Sequence, residues 1–185
     1  DDFHEYETRK DFENVWILDP IDGTKGFVNK TDDYVVCLGL SNNGSPVVGF
    51  IGHPATRTVY YTLKQGKVLK RVYDSNFLGF YEIGLFKNNV KKYPNNVVRI
   101  VGSSNLNEAT EEFLKKYPKY TYSGMHSALK YCLLLEGKAD LFVRFRASYE
   151  WDNCAGHAIV KSFGGRVVNP HTNESLKYNK DIQTH

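Results

Sequence analysis

Two apolar runs, Tyr34-Val35-Val36-Cys37-Leu38-Gly39-Leu40 and Pro46-Val47-Val48-Gly49-Phe50-Ile51-Gly52, flank the turn-forming stretch Asn42-Asn43-Gly44-Ser45, and this pattern leaves the chain few alternatives to a hairpin. Because both runs are almost wholly apolar, the hairpin is predicted to be buried on both faces. Thr58–Thr62 and Lys67–Leu69 around Lys64-Gln65-Gly66 predict a second hairpin, and Val15–Leu18 a short buried strand before the first. Residues 1–14 are polar and aperiodic, a surface segment with no fold of its own, and Asp74–Pro94 lacks a clear period and reads as a connection. From there the rhythm changes to strand then helix. Val97–Val101 is a predicted strand. Asn107–Tyr117 is a helix with Phe113 and Leu114 inward and Glu108, Glu111 and Glu112 at its electropositive end. Ser127–Gly137 reads as a buried helix closed by its glycine, Ala139–Val143 as a strand, Trp151–Phe163 as a second buried helix, and Arg166–Val168 as a last strand after Gly164-Gly165. The whole is an α/β (α+β) chain, one domain with an antiparallel-sheet lobe over 1–94 and an α/β lobe over 95–185.

Composition narrows the function classes. A chain of 185 residues, 41% hydrophobic and 24% charged, can bury a sizeable core. Its net charge is +3 with basic and acidic residues interspersed, so nothing points to a nucleic-acid partner. No apolar run is long enough to span a membrane, and the start, Asp1-Asp2-Phe3-His4, carries no secretory pattern. Cys37, Cys132 and Cys154 are odd in number, far apart and set among apolar or small neighbours, which favours three reduced, mostly buried thiols over a disulfide or zinc. A cytoplasmic monomer is the expectation.

Chemistry concentrates in Trp16-Ile17-Leu18-Asp19-Pro20-Ile21-Asp22-Gly23-Thr24-Lys25-Gly26-Phe27. Asp19 and Asp22 offer hard, anionic oxygens of the kind Mg²⁺ takes, and the amides of Gly23 and Thr24 can face phosphate oxygens as the next helix starts. Asp-Pro and Asp-Gly also mark ordinary turns. Asp152 lies in the first turn of a predicted helix rich in small residues, Ala155, Gly156 and Ala158, where it can project toward the sheet edge or simply cap the helix. His53 and His157 read as structural histidines, with no second ligand at metal spacing, and His126 stands beside Ser127.

The two motifs, Trp-Ile-Leu-Asp19-Pro-Ile-Asp22-Gly-Thr24 and Trp151-Asp152-Asn-Cys-Ala-Gly156-His-Ala, in order and about 130 residues apart, resemble the paired signature of the inositol monophosphatase superfamily, Mg²⁺-dependent and lithium-sensitive phosphatases. Lys25-Gly26-Phe27 and the stretch Ser127 to Arg144 are most similar to the 3'(2'),5'-bisphosphate nucleotidases within it. The resemblance implies a layered α/β/α/β/α sugar-phosphatase fold. It implies two or three Mg²⁺ ions: Asp19 bridging two, the Ile21 carbonyl serving one, Asp22 and Asp152 completing the other. Thr24 would orient the attacking water and the Gly23 and Thr24 amides would hold the phosphate. Ser127, Lys130 and Arg144 would contact a nucleotide bisphosphate and its second phosphate, where a local reading makes Ser127 a helix cap and the two cations solvated surface charges. The family pattern also places a Glu-Glu pair just before Asp1 and a further strand beyond His185, so the fold is expected to be truncated at both ends. Glu5 and Glu7 sit too close to the motif to replace that pair, and Asn105 stands where these nucleotidases often carry a histidine. The implied reaction removes the 3'-phosphate of adenosine 3',5'-bisphosphate to give AMP and phosphate. The alternatives are an inositol phosphate phosphatase of the same fold and a catalytically silent domain that binds nucleotide or Mg²⁺.

Overall fold

In the computed structural model, which describes residues 5–63, 67–85 and 96–185, alternation rather than continuous burial shapes the first sheet. Six antiparallel strands run in sequence order: β1 (Asn14–Asp22), β2 (Val35–Asn42), β3 (Ser45–His53), β4 (Thr58–Leu63), β5 (Lys67–Tyr73) and β6 (Phe80–Leu85). One face carries Val35, Cys37, Ile51 and Tyr60, all buried. The cross-strand partners Trp16, Leu40 and Val48, and Leu18, Leu38, Phe50 and Tyr61, line the other face, where Trp16 is 57% and Leu18 56% exposed. The predicted hairpin is therefore present, but buried on one face only. Between β1 and β2 lies α2 (Thr24–Val28), and a short helix, α1 (Tyr6–Arg9), occupies the segment read as having no fold of its own. The turn predicted at Lys64-Gln65-Gly66 and most of the second half of the predicted 74–94 connection lie outside the described residues. The part of that connection that is described contributes β6, a strand the aperiodic composition hid.

The second sheet is parallel, in the order β8 (Tyr120–Gly124), β7 (Val98–Gly102), β9 (Leu141–Val143). On one side Ile100 and Val143 pack with Leu114 and Phe113 of α3 (Glu108–Leu114), whose N-cap Asn107 accepts from the Thr110 amide. On the other, Phe142 joins the main core with α4 (Leu129–Leu135) and α5 (Glu150–Ser162). The layers are thus the large sheet, the α4/α5 pair, the small sheet and α3. The apolar stretch at Arg166–Val168, predicted as a strand, forms only a single bridge from Val168 to Ser175.

Two features fix α5 where it can serve the sheet. A Cβ on Gly39 would lie 2.6 Å from the Cys154 sulfur, and one on Gly49 would lie 2.2 Å from the Ala155 carbonyl oxygen, so the helix rests directly on the backbone of β2 and β3. Its first turn is braced from below: buried Glu150 accepts the amides of Asn179 and Lys180 at 2.9 and 3.0 Å, while Arg9 of α1 donates to the Asn179 side chain at 2.6 Å and the Lys180 carbonyl at 2.8 Å. Helix α4 is tied to the large sheet through Glu136, which accepts from Tyr60 at 2.6 Å and pairs with Lys70. Burial alone would raise that carboxyl; Lys138, Lys70 and Tyr60 bring it down to about 2. Cys37, Cys132 and Cys154 are all free and buried, and no described helix is long and apolar enough to cross a membrane.

Candidate metal and phosphate centre

In a regular strand, residues three apart point to opposite faces, so Asp19 and Asp22 would diverge. They do not, because the β1–β2 ladder slips between them: Asp19 pairs with Cys37 and Asp22 with Val35. That irregularity turns both carboxylates toward the face α5 covers. Proline is tolerated in the slip because β1 is an edge strand. The Ile21 amide donates to Asp19 Oδ1 at 3.0 Å, and the Thr24 hydroxyl donates to the Ile21 carbonyl at 3.2 Å. Gly23 between them has φ +85°, in the left-handed region, and packs so closely that a Cβ would meet the Asp33 carbonyl oxygen at 2.6 Å.

Asp152 reaches the same place from the start of α5. Its carboxylate caps the helix, accepting the Tyr149 amide at 3.0 Å, and also lies 3.6 Å from the Arg144 guanidinium. Capping and projection, alternatives in the sequence, are satisfied together. Asp19, Asp22 and Asp152 each place a carboxylate oxygen within 4.8 Å of the others. Burial first, and the neighbouring carboxylates after it, shift the acidities of Asp19 and Asp22. Burial, with the Asp152 charge, raises Asp19. Burial, then Asp152 and Asp19, push Asp22 up to about 7 against the opposing pull of the Ala128 amide and Lys130. Three hard oxygen donors whose negative charge is incompletely offset suit a divalent cation, so the donor set fits Mg²⁺.

The basic residues are not solvated surface charges. Lys130 is only 2% exposed, and its ammonium donates to the Ser127 carbonyl at 2.6 Å and the Met125 carbonyl at 3.1 Å. Burial, together with the Arg144 charge, lowers it to about 8 despite the attraction of Asp22. Arg144 is half-buried and steered by the carbonyls of Arg146 and Ala147 at 3.4 and 3.1 Å. Ser127 is fully buried, and its hydroxyl donates to Asp33 at 2.6 Å. Asp22, Ser127, Lys130, Arg144 and Asp152 line one small cleft. A larger cavity of about 590 Å³ lies beside it, between β9, α5 and residues 165–170; Arg144 and Asn153 border both, and none of the three aspartates faces it.

Sequence reasoning missed Asp33 and Asn153. Asn153 accepts the Tyr131 hydroxyl at 3.0 Å and donates to Ser148, holding α4 and α5 together where Gly156 meets the Tyr131 ring. Only its place beside Asp152 in the second motif signalled it. Two of the histidines are structural, as expected: His157 is buried against the Tyr178 hydroxyl at 2.9 Å, with burial lowering it to about 4, and His53 bonds to the Asp32 carbonyl and the Thr56 hydroxyl, whereas His126 lines the small cleft.

This arrangement has relatives. The chain is 30% identical over 162 residues to the 3'(2'),5'-bisphosphate nucleotidase CysQ of Salmonella typhimurium, covering 88% of this chain and 61% of that protein. It is 28% identical to the CysQ of Haemophilus influenzae, covering 95% and 62%. The chain therefore spans about three fifths of the length of the curated relatives it matches. Among solved structures, CysQ from Bacteroides thetaiotaomicron superposes with a TM-score of 0.82 at 29% identity, covering 98% of this chain and 71% of the other. An inositol monophosphatase from Zymomonas mobilis shares the fold, with a TM-score of 0.72 at 22% identity over 96% and 66%. A profile described as the inositol monophosphatase family matches residues 3–184, and the chain belongs to that family.

Proposed function

We propose that this chain carries the metal and substrate groups of a Mg²⁺-dependent phosphatase that removes the 3'-phosphate of adenosine 3',5'-bisphosphate, giving AMP and phosphate. The observation that carries the reading is the convergence of Asp19, Asp22 and Asp152 beside buried Lys130 and half-buried Arg144, because a substrate with two phosphates needs cationic contacts beyond the reacting one. The names of the CysQ relatives support the substrate class.

Bound Mg²⁺ would neutralise phosphate charge and acidify an attacking water. Asp19, Asp22, Asp152 and the Ile21 carbonyl are the groups proposed to hold it. The chain's own contributions are positional. Thr24, whose hydroxyl donates to the Ile21 carbonyl, is assigned to orient the water, and the Gly23 and Thr24 amides to steady the reacting phosphate. Lys130 and Arg144 are assigned to the second phosphate, with Ser127 shaping the wall between them.

Turnover of adenosine 3',5'-bisphosphate and of inositol monophosphate should be compared in Mg²⁺, with and without Li⁺. Faster release of phosphate from the nucleotide, suppressed by Li⁺, is expected; preference for the inositol ester would replace the substrate assignment, and nucleotide binding without turnover would make this chain a silent domain.

A second expectation concerns pH. Asp22 must lose its proton to hold a cation, so apparent Mg²⁺ affinity measured by calorimetry should weaken about tenfold per unit as pH falls below about 7. Affinity that is flat between pH 5.5 and 8.5 would remove Asp22 from the ligand set.

A further inference from the structure

Three successive backbone amides, those of His126, Ser127 and Ala128, converge on carboxylates from the other end of the sequence. His126 and Ser127 donate to the two oxygens of Asp33 at 2.6 and 3.1 Å, the Ser127 hydroxyl adds a third bond at 2.6 Å, and Ala128 donates to Asp22. Consecutive amides presented in this way form an anion-binding concavity. Here the anions held are the protein's own. The opposite pole of the same peptides is also engaged, since the carbonyls of Met125 and Ser127 accept from Lys130. The Met125–His126 peptide thus bridges Asp33 and Lys130, and the Ser127–Ala128 peptide bridges Asp22 and Lys130. The Asp33 backbone closes the arrangement against the metal motif: a Cβ on Gly26 would lie 2.2 Å from the Asp33 carbonyl oxygen, and one on Gly23 would lie 2.6 Å from it.

We propose that Asp33 is a positioning residue for substrate: it locks residues 125–128 to the Gly23–Gly26 turn, so that Lys130 and the wall formed by Ser127 stand at a fixed distance from the metal carboxylates. Asp33 itself touches neither metal nor substrate. Of the two carboxylates in the concavity, Asp22 belongs to the metal cluster, whereas Asp33, among the described residues, directs its three side-chain bonds at His126 and Ser127. The division predicts that removing the Asp33 charge disturbs anion contact and spares the cation. The assignment rests on the function proposed above for its substrate class, and the test separates the two.

The measurement is equilibrium binding of Mg²⁺ and, separately, of adenosine 3',5'-bisphosphate to the full chain and to its Asp33→Asn, Asp33→Glu and Ser127→Ala variants, alongside amide hydrogen exchange at His126 and Ser127. Asp33→Asn is expected to weaken nucleotide binding about tenfold or more while Mg²⁺ affinity stays within about twofold. Asp33→Glu should recover part of the loss, and the Asp33→Asn/Ser127→Ala pair should be non-additive, since both disturb one hydrogen-bond cluster. Nucleotide affinity unchanged in Asp33→Asn, or Mg²⁺ affinity falling in parallel with it, would overturn the proposal. If the unaltered chain binds no nucleotide, the substrate assignment fails by itself. Asp33 is then judged on exchange alone: faster exchange at His126 and Ser127 in Asp33→Asn, with the α5 amides still protected, sustains the lock, and unchanged exchange refutes it.

Discussion

Asp22→Asn is expected to raise the melting temperature of the metal-free chain while destroying its affinity for Mg²⁺. The carboxylate is held among Asp19 and Asp152 in a half-buried site, and these surroundings raise its pKa to about 7. A group whose folded pKa lies above its unfolded value of 3.8 binds more protons in the native state, so its contribution to stability is present at low pH and is lost as pH rises toward 7. At pH 8 the folded chain bears that cost in full, and an amide removes it while keeping an oxygen for the Ala128 amide. The shift alone corresponds to roughly 4 kcal/mol, and because the asparagine amide still loses water on burial the gain should be about 1–2 kcal/mol, or roughly 2–8 °C. Against it stands the loss of an anionic ligand, expected to weaken Mg²⁺ by more than about 100-fold. Thermal scans at pH 5 and pH 8, with and without Mg²⁺, report both effects. The wild-type metal-free chain should melt higher at pH 5 than at pH 8 from this group, and Mg²⁺ should recover the difference only in the wild type. Asp22→Asn melting lower at pH 8 without metal would show that the carboxylate is not under electrostatic strain.

The other large effect is expected from a residue with no functional group. Gly49→Ala would force a methyl to within 2.2 Å of the Ala155 carbonyl oxygen, and because both partners are main chain no side-chain rotation can relieve it. Helix α5 must lift from the sheet, at a cost of about 1–3 kcal/mol or more, which corresponds to roughly 2–12 °C. Lifting α5 carries Asp152 away from Asp19 and Asp22, so Mg²⁺ affinity should fall about 10- to 100-fold although no ligand has changed. Gly52→Ala is the control on the same strand, with only the Val36 carbonyl oxygen at 4.0 Å in its way. Equal melting temperatures for Gly49→Ala and Gly52→Ala would mean that the helix is not seated as described.

The parts of the fold with strong local signals were legible in the sequence. The first hairpin, α3 and the helix beginning near Trp151 follow from apolar spacing and turn residues, whereas the Asn107 cap of α3 emerged only in the structure. Strand β8 was hidden because its sequence, Tyr-Thr-Tyr-Ser-Gly, is short, polar and largely exposed at a sheet edge; β6 is apolar but lies at the other sheet's edge with Phe80, Tyr81 and Ile83 exposed, so it lacks the alternation of a half-buried strand. Strand β1 reads as ending at Leu18 only because Pro20 suggests a break, whereas an edge strand accommodates a residue without an amide hydrogen. For the candidate centre, paired motifs sufficed to pick out Asp19, Asp22 and Asp152 as residues to look for. They could not show that Lys130 is buried, since a lysine in a helix reads as solvated until its neighbours are known. Asp33 carried no signal at all: Asp32-Asp33 before an apolar run is an ordinary turn, and its meaning comes from residues 126 and 127, more than ninety positions away.

The separation of the aspartates has a consequence for how the chain matures. Asp19 and Asp22 lie on the first strand, whereas Asp152 opens the last helix, so no segment short of most of the chain can present all three. Closing so long a loop is among the late and slow events of folding. A cation therefore cannot nucleate this structure; it can only retain it, by slowing the escape of chains that have already placed α5 on the sheet.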